Sequence, residues 1–169
     1  MRKIELKDAA YIGTLFERLD KEWALVTAGT QEKCNPMTVS WGGFGVLWSR
    51  NVATIYVRPE RYTRELIEQE DYFTLSLFGP EYKKALALCG SKSGRDIDKV
   101  KECGFTVKPG SEGGVYFEEA QLVLVCRKRY AQDLDTDCFC PGIDPSAYYG
   151  APGGVHRMYI GEIVQVLAQ

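Results

Sequence analysis

Ten residues, Cys89-Gly-Ser-Lys-Ser-Gly-Arg-Asp-Ile-Asp98, concentrate the groups of this chain best suited to holding an anion. Two glycines let backbone approach a ligand closely. Ser91 and Ser93 offer hydroxyl donors, and Arg95 offers a two-pronged guanidinium. The helical pattern that follows, from about Asp96, would add free backbone N–H groups and a positive dipole end. Together these are the parts of a phosphate cradle. The same residues also make an ordinary capped turn, with Ser93 or Asp96 as the N-cap.

Other chemistries have less support. His156 is the sole histidine, and no Gly-x-Ser-x-Gly elbow accompanies it, which disfavours a serine hydrolase. Six cysteines are present. Cys34, Cys89, Cys103 and Cys126 stand singly, and Cys138-Phe-Cys140 is one C-x-C pair, too few ligands for a four-coordinate zinc. No metal site is expected. The opening Met1-Arg2-Lys3-Ile4-Glu5 carries charge where an export signal needs an apolar stretch, so a cytoplasmic location with reduced thiols is expected.

These groups need a scaffold, and 169 residues suffice for one domain, 1–169, with its own core. The 45% apolar content is that of a globular chain. A net charge of −2 gives no electrostatic reason to expect nucleic-acid binding. No apolar run has the length of a membrane span. Basic residues gather locally at Arg58, Arg61 and Arg64, which suits a small anion.

β-rich runs cover Trp23–Ala28, Met37–Trp41, Val52–Val57, Tyr72–Phe78, Ala120–Tyr130 and Val155–Leu167. Helical patterns cover Arg61–Gln69, with Pro59 in the first turn, then Glu81–Leu88 and Asp96–Cys103. Residues 105–119 read as loop with one brief strand, and 133–154 as a long loop, of a length that in compact domains is often functional. Strands with few helical excursions predict a mainly β fold, an antiparallel β-barrel or sandwich with appended helices. The Gly-rich turn lies between helices and not after a strand, so the dinucleotide fingerprint does not apply.

Four segments then stand in a recognisable order: Asn35-Pro-Met-Thr-Val-Ser-Trp-Gly42, Tyr56-Val-Arg-Pro-Glu-Arg-Tyr-Thr63, Gly90-Ser-Lys-Ser-Gly-Arg-Asp96 and Gly154-Val-His-Arg-Met-Tyr-Ile-Gly-Glu162. In these the chain resembles the flavin reductase-like family, and most closely its flavoredoxin-type branch. The resemblance implies an FMN-binding split β-barrel that assembles as a homodimer; charge and hydropathy, as above, give no expectation of nucleic-acid or membrane partners. It implies FMN as cofactor and NAD(P)H or a redox protein as electron donor. Residues Thr38, Val39, Ser40 and Trp41 would line the flavin. Arg58, Arg61, Tyr62 and Thr63 would sit near the ring and the ribityl phosphate. Ser91, Ser93, Gly94 and Arg95 would take the phosphate, with Lys92 adding charge or facing water. His156 would lie near a nicotinamide as the catalytic residue. Val155 stands where the family carries an acid, which weakens the implication of NAD(P)H use more than that of FMN. An FMN-binding protein without turnover of its own is the alternative. The aromatic stretches Phe44-Gly-Val-Leu-Trp48 and Tyr148-Tyr149 read as interface or as ordinary core and loop.

Overall fold

The computed structural model describes residues 2–3, 17–150 and 154–169. Met1, Ile4 and Glu5 of the charged opening, and residues 151–153 of the long loop, lie outside them. Ten strands occur among the described residues: β1 (Arg2–Lys3), β2 (Ala24–Gly29), β3 (Cys34–Val39), β4 (Gly42–Leu47), β5 (Arg50–Val57), β6 (Tyr72–Leu77), β7 (Val107–Pro109), β8 (Val115–Phe117), β9 (Leu122–Asp133) and β10 (Arg157–Ala168). The α-helices among the described residues are α1 (Tyr62–Gln69), α2 (Lys83–Ser91), α3 (Lys99–Cys103) and α4 (Ser146–Tyr149), with single π or 3-10 turns at Arg18–Glu22, Pro80–Tyr82 and Thr136–Cys138. The fold is mainly β, as the residue pattern predicts.

The main sheet is antiparallel and runs β3-β2-β6-β9-β10-β5-β4, with β1 added on β10. Its two end strands, β3 and β4, are joined by Ser40 and Trp41 alone. A flat sheet would set those edges roughly 29 Å apart at about 4.8 Å per strand. Three Cα–Cα steps span at most about 11 Å. The sheet therefore curls until the end of β3 comes beside the start of β4, and the short connection lies across this seam while the two strands stay unpaired.

Alternation of side chains gives the curled sheet two cores. Val26, Met37, Ile55, Phe73, Leu124 and Tyr159 face one cluster, to which α1 adds Leu66 and Ile67. The opposite faces of the same strands, through Leu25, Val123 and Val125, pack on Leu86 and Cys89 of α2 and on Phe105 and Phe117. β6 and the first half of β9, Leu122–Cys126, are buried on both faces, with Thr74 and Ser76 enclosed among apolar neighbours.

The structure revises several expected boundaries. β4 is a full strand where the sequence reads as a glycine stop followed by an aromatic stretch. Its turn to β5 is Trp48-Ser49, with φ of 51° and 57°, the left-handed pair of a type I′ hairpin without the usual Asn-Gly or Asp-Gly. Pro59 falls in a turn before α1, because Arg61 is that helix's N-cap. The helix expected from Asp96 begins at Lys99, since the Asp98 carboxylate accepts the Lys101 N–H and caps it there. Residues 107–117 form a two-strand hairpin, and the long loop contains α4.

β10 slips register against β9 twice, between Ile160 and Gly161 and between Ile163 and Gln165, and such bulges bend a strand. A Cβ at Gly161 would stand 2.6 Å from the Phe73 ring and 2.7 Å from the Cys126 Cβ. Gly161→Ala is expected to destabilise the fold by about 1–3 kcal/mol through overpacking. Urea unfolding checks this: the midpoint falls while the slope stays constant.

Candidate functional site

The seam connection carries the first part of the site. Thr38, Val39, Ser40 and Trp41 line a cavity of about 230 Å³ together with Met37, Tyr56, Arg58, Arg61 and His156. Tyr56 and Arg58 share one face at the end of β5, two residues apart. Arg61 enters from the start of α1, and His156 from the residue before β10. Seven of the fourteen residues singled out from the sequence thus meet around one hollow. A larger cavity of about 790 Å³ shares Ser40, Trp41 and Tyr56 and extends under residues 134–149, past Cys138, Phe139, Cys140 and Tyr149.

The other seven lie beside this cleft. Tyr62, Gly94 and Arg95 line a separate hollow of about 470 Å³. Thr63 is fully buried and accepts a hydrogen bond from the Asn35 amide, 2.7 Å. Ser91 turns its hydroxyl back onto the carbonyl of Ala87, 2.9 Å. Ser93 accepts the Arg95 N–H, 3.2 Å. Arg95 spans from the Glu60 carbonyl, 3.0 Å, to the Glu65 carboxylate, over the Tyr62 ring. Lys92 is exposed just after α2.

The four sequence segments interlock through specific contacts. A Cβ at Gly94 would fall 1.9 Å from Asn35 Oδ1, so only glycine admits this approach of the third segment to the first. Asn35 in turn holds Thr63 of the second. Arg61 donates to the Gly90 carbonyl at 2.8 Å, which ties the cleft to the end of α2. The fourth segment arrives through His156, whose ring centroid lies 5.2 Å from that of Trp41.

The loop over the large cavity is fastened by the same residues. Arg58 donates to the Tyr148 carbonyl at 2.8 Å, and His156 Nδ1 stands 3.1 Å from the Tyr149 hydroxyl. Trp41 meets the Tyr148 ring edge-on, 6.0 Å between centroids. Burial holds the His156 imidazole below the ordinary histidine range, and the Arg58 guanidinium adds to the shift. The imidazole is therefore neutral near pH 7.

The sequence does not mark Tyr56, Asn35 or Lys99 as site residues, and it marks Tyr148-Tyr149 only as an interface or loop stretch. Tyr56 had a usable signal, its i, i+2 relation to Arg58. Lys99 had none: a lysine in a polar run gives no hint that its ammonium is buried, donating to the carbonyls of Pro36, 3.0 Å, and Cys89, 2.8 Å.

Among known proteins, the family profile described as flavin reductase like domain matches residues 16–169. No curated protein matches the chain by sequence. Solved structures do share its fold. An FMN-binding protein from Thermus thermophilus, solved with bound 1-cyclohex-2-enone, is 20% identical, with a TM-score of 0.68 over 86% of this chain and 69% of that one. Flavoredoxin from Methanosarcina acetivorans is 20% identical, with a TM-score of 0.69 over 100% of this chain and 76% of that one. An NADH:FAD oxidoreductase from Streptomyces globisporus is 16% identical, with a TM-score of 0.66 over 100% of this chain and 88% of that one.

The depressed histidine makes stability depend on pH with a definite sign. The folded state binds the His156 proton less readily than the unfolded chain, whose imidazole titrates near 6.5. Stability is full above that value and declines as pH falls through it, levelling once the folded imidazole is protonated. Urea midpoints between pH 8 and pH 5 measure the decline, and His156→Gln is expected to remove the histidine's share of it.

Proposed function

The chain belongs to the flavin reductase-like family, with its FMN-binding split β-barrel fold, and on that premise we propose that it is an FMN-binding oxidoreductase. In this reading electrons pass from NAD(P)H or a redox protein, through bound FMN, to a flavin, ferric or protein acceptor. The observation that carries it is the meeting of Thr38, Ser40, Trp41, Arg58, Arg61 and His156 around one cleft at the seam. Their chemistry fits FMN: hydroxyl and guanidinium donors for a polar, electron-rich ring edge, and aromatic walls for a planar ring.

Bound FMN would supply two-electron chemistry between a donor and an acceptor that need not meet. The remaining work falls to the chain. Trp41 and Tyr56 wall the cleft, and Arg58 and Arg61 place positive charge where negative charge would develop. The phosphate falls to Arg61 and the 91–95 segment, with Gly94 providing close approach; Thr63, fully buried against Asn35, supports that corner and does not reach it. Neutral His156 holds the Tyr149 hydroxyl and so positions the loop over the larger cavity, where a second reactant has room. Water exclusion and orientation, rather than an acid–base pair, are this site's contribution.

A second reading, an FMN-binding protein without its own turnover, is favoured by one specific feature. His156 is engaged by Tyr149 and is preceded by Val155, not an acid. Anaerobic visible spectra separate the two. Flavin bands that bleach with NADH or NADPH support the reductase, and bands that bleach only with dithionite support a carrier fed by another donor. A protein that takes up no flavin overturns both. Arg95→Ala is expected to weaken FMN binding roughly tenfold or more, by loss of a charge-assisted contact, while riboflavin binding stays level. Equal losses would remove Arg95 from the phosphate site.

We extend the proposal to a homodimer. β4 ends the sheet path and exposes Val46, Leu47 and Trp48, with Tyr130 packed beside Trp48 at 6.3 Å between ring centroids. An exposed edge strand next to an apolar patch fits a second copy of this chain. Sedimentation equilibrium is expected to give a dimer for the native chain and a monomer for the Val46→Glu/Trp48→Glu double variant.

A further inference from the structure

Two thiols outside the cleft face each other across α2 and α3. The Sγ atoms of Cys89 and Cys103 lie 3.8 Å apart. Cys89 is fully buried in the second core, and Cys103, the last residue of α3, is half-buried with access to solvent. Between them in sequence runs the 90–98 connection. The pair is bound into the site's supports as well: Lys99, one turn before Cys103, donates to the Cys89 carbonyl, and Arg61 donates to the carbonyl of the adjacent Gly90.

We propose that Cys89 and Cys103 are an oxidisable dithiol whose disulfide staples α2 to α3 and stiffens the connection between them. A disulfide needs the sulfurs at about 2.0 Å, so the pair must close by somewhat less than 2 Å, within reach of side-chain rotation and a small shift of α3. α3 is a single short helix ended by Gly104 at φ 67°, an element light enough to move. Peroxide is the oxidant class, and reduced flavins generate it from dioxygen. Cys103, the accessible thiol, attacks the O–O bond as thiolate; one oxygen leaves as hydroxide, takes up a proton to become water, and the other stays as the sulfenic acid. Cys89 then attacks that sulfur, the S–S bond forms, and the second oxygen leaves as water. Two electrons leave the pair and one peroxide becomes two waters. Burial pushes the Cys89 thiol up to about 12 and raises Cys103 as well, so the latch sets under sustained oxidation and is not a fast sensor.

The consequence for flavin rests on the proposed function, because the clamped connection is the segment assigned to the phosphate. A cross-link that removes freedom from residues 90–98 lowers the ordering cost of binding there. Flavin release should slow several-fold in the oxidised protein.

The test uses the full chain carrying Cys138→Ser and Cys140→Ser, which removes the exposed thiols, treated with hydrogen peroxide or diamide. The expected result is a loss of about 2 Da mapped to a peptide pair joining Cys89 and Cys103, reversed by dithiothreitol. Hydrogen exchange over 90–98, measured without flavin, slows several-fold, and Cys103→Ala abolishes both changes. Sulfinic or sulfonic adducts at Cys103 without a cross-link would overturn the dithiol. A cross-link that leaves exchange over 90–98 unchanged would overturn the clamp. Slowed exchange in a protein that never binds FMN would uphold the clamp and refute the cofactor reading, so the two fail separately.

Discussion

A two-residue connection between the edges of a seven-strand path constrains everything else in this molecule. Ser40 and Trp41 cannot bridge a flat sheet, so the strands must curl, and curling needs points of give. Gly161 supplies one, at a register slip where any side chain would meet Phe73 and Cys126. The same closure leaves a hollow at the seam, bounded by the connection itself and by the ends of β5 and β10. The cleft is a consequence of how the sheet closes, and its walls are as rigid as the strands that end there.

The residues lining that cleft also hold its surroundings together. Arg58 faces the cavity and grips the loop at Tyr148, while Arg61 faces the cavity and holds the end of α2 at Gly90. His156, kept neutral by burial and by these cations, can stand beside them without adding a third charge. Small changes at the cleft therefore reach the loop above and the helix below through single hydrogen bonds. That economy suits a site in which orientation matters more than proton transfer.

Much of this was legible in the residues, for identifiable reasons. Strands β2, β5, β6 and β10 announce themselves through β-branched and aromatic runs flanked by glycine or proline, β9 through its apolar run alone, and the four ordered segments point to the family. β4 was hidden because its glycines read as a stop and its hairpin uses Trp48-Ser49 at positive φ, against the usual turn chemistry. The start of α3 was misplaced because Ser93, Asp96 and Asp98 are all plausible caps, and only the bond to the Lys101 N–H selects Asp98. Lys99 was invisible, since its burial depends on carbonyls of Pro36 and Cys89, distant in sequence from one another.

The 91–95 segment, to which we assign the phosphate, shows why composition alone does not place its donors. Arg95 is engaged with Glu65 and with the Glu60 carbonyl, and Ser91 with its own helix. Such exposed partnerships are weak: an ion pair in water contributes about 0–1 kcal/mol. A phosphate dianion carries more charge than the Glu65 carboxylate and more acceptor oxygens, so exchanging one partner for the other costs little and gains charge-assisted bonds. The fixed element is Gly94, wedged against Asn35, which keeps the backbone of the segment close to β3 whichever anion Arg95 holds. In the proposed phosphate site, the Gly94 contact would fix the backbone while Arg95 exchanges an exposed partner for the anion.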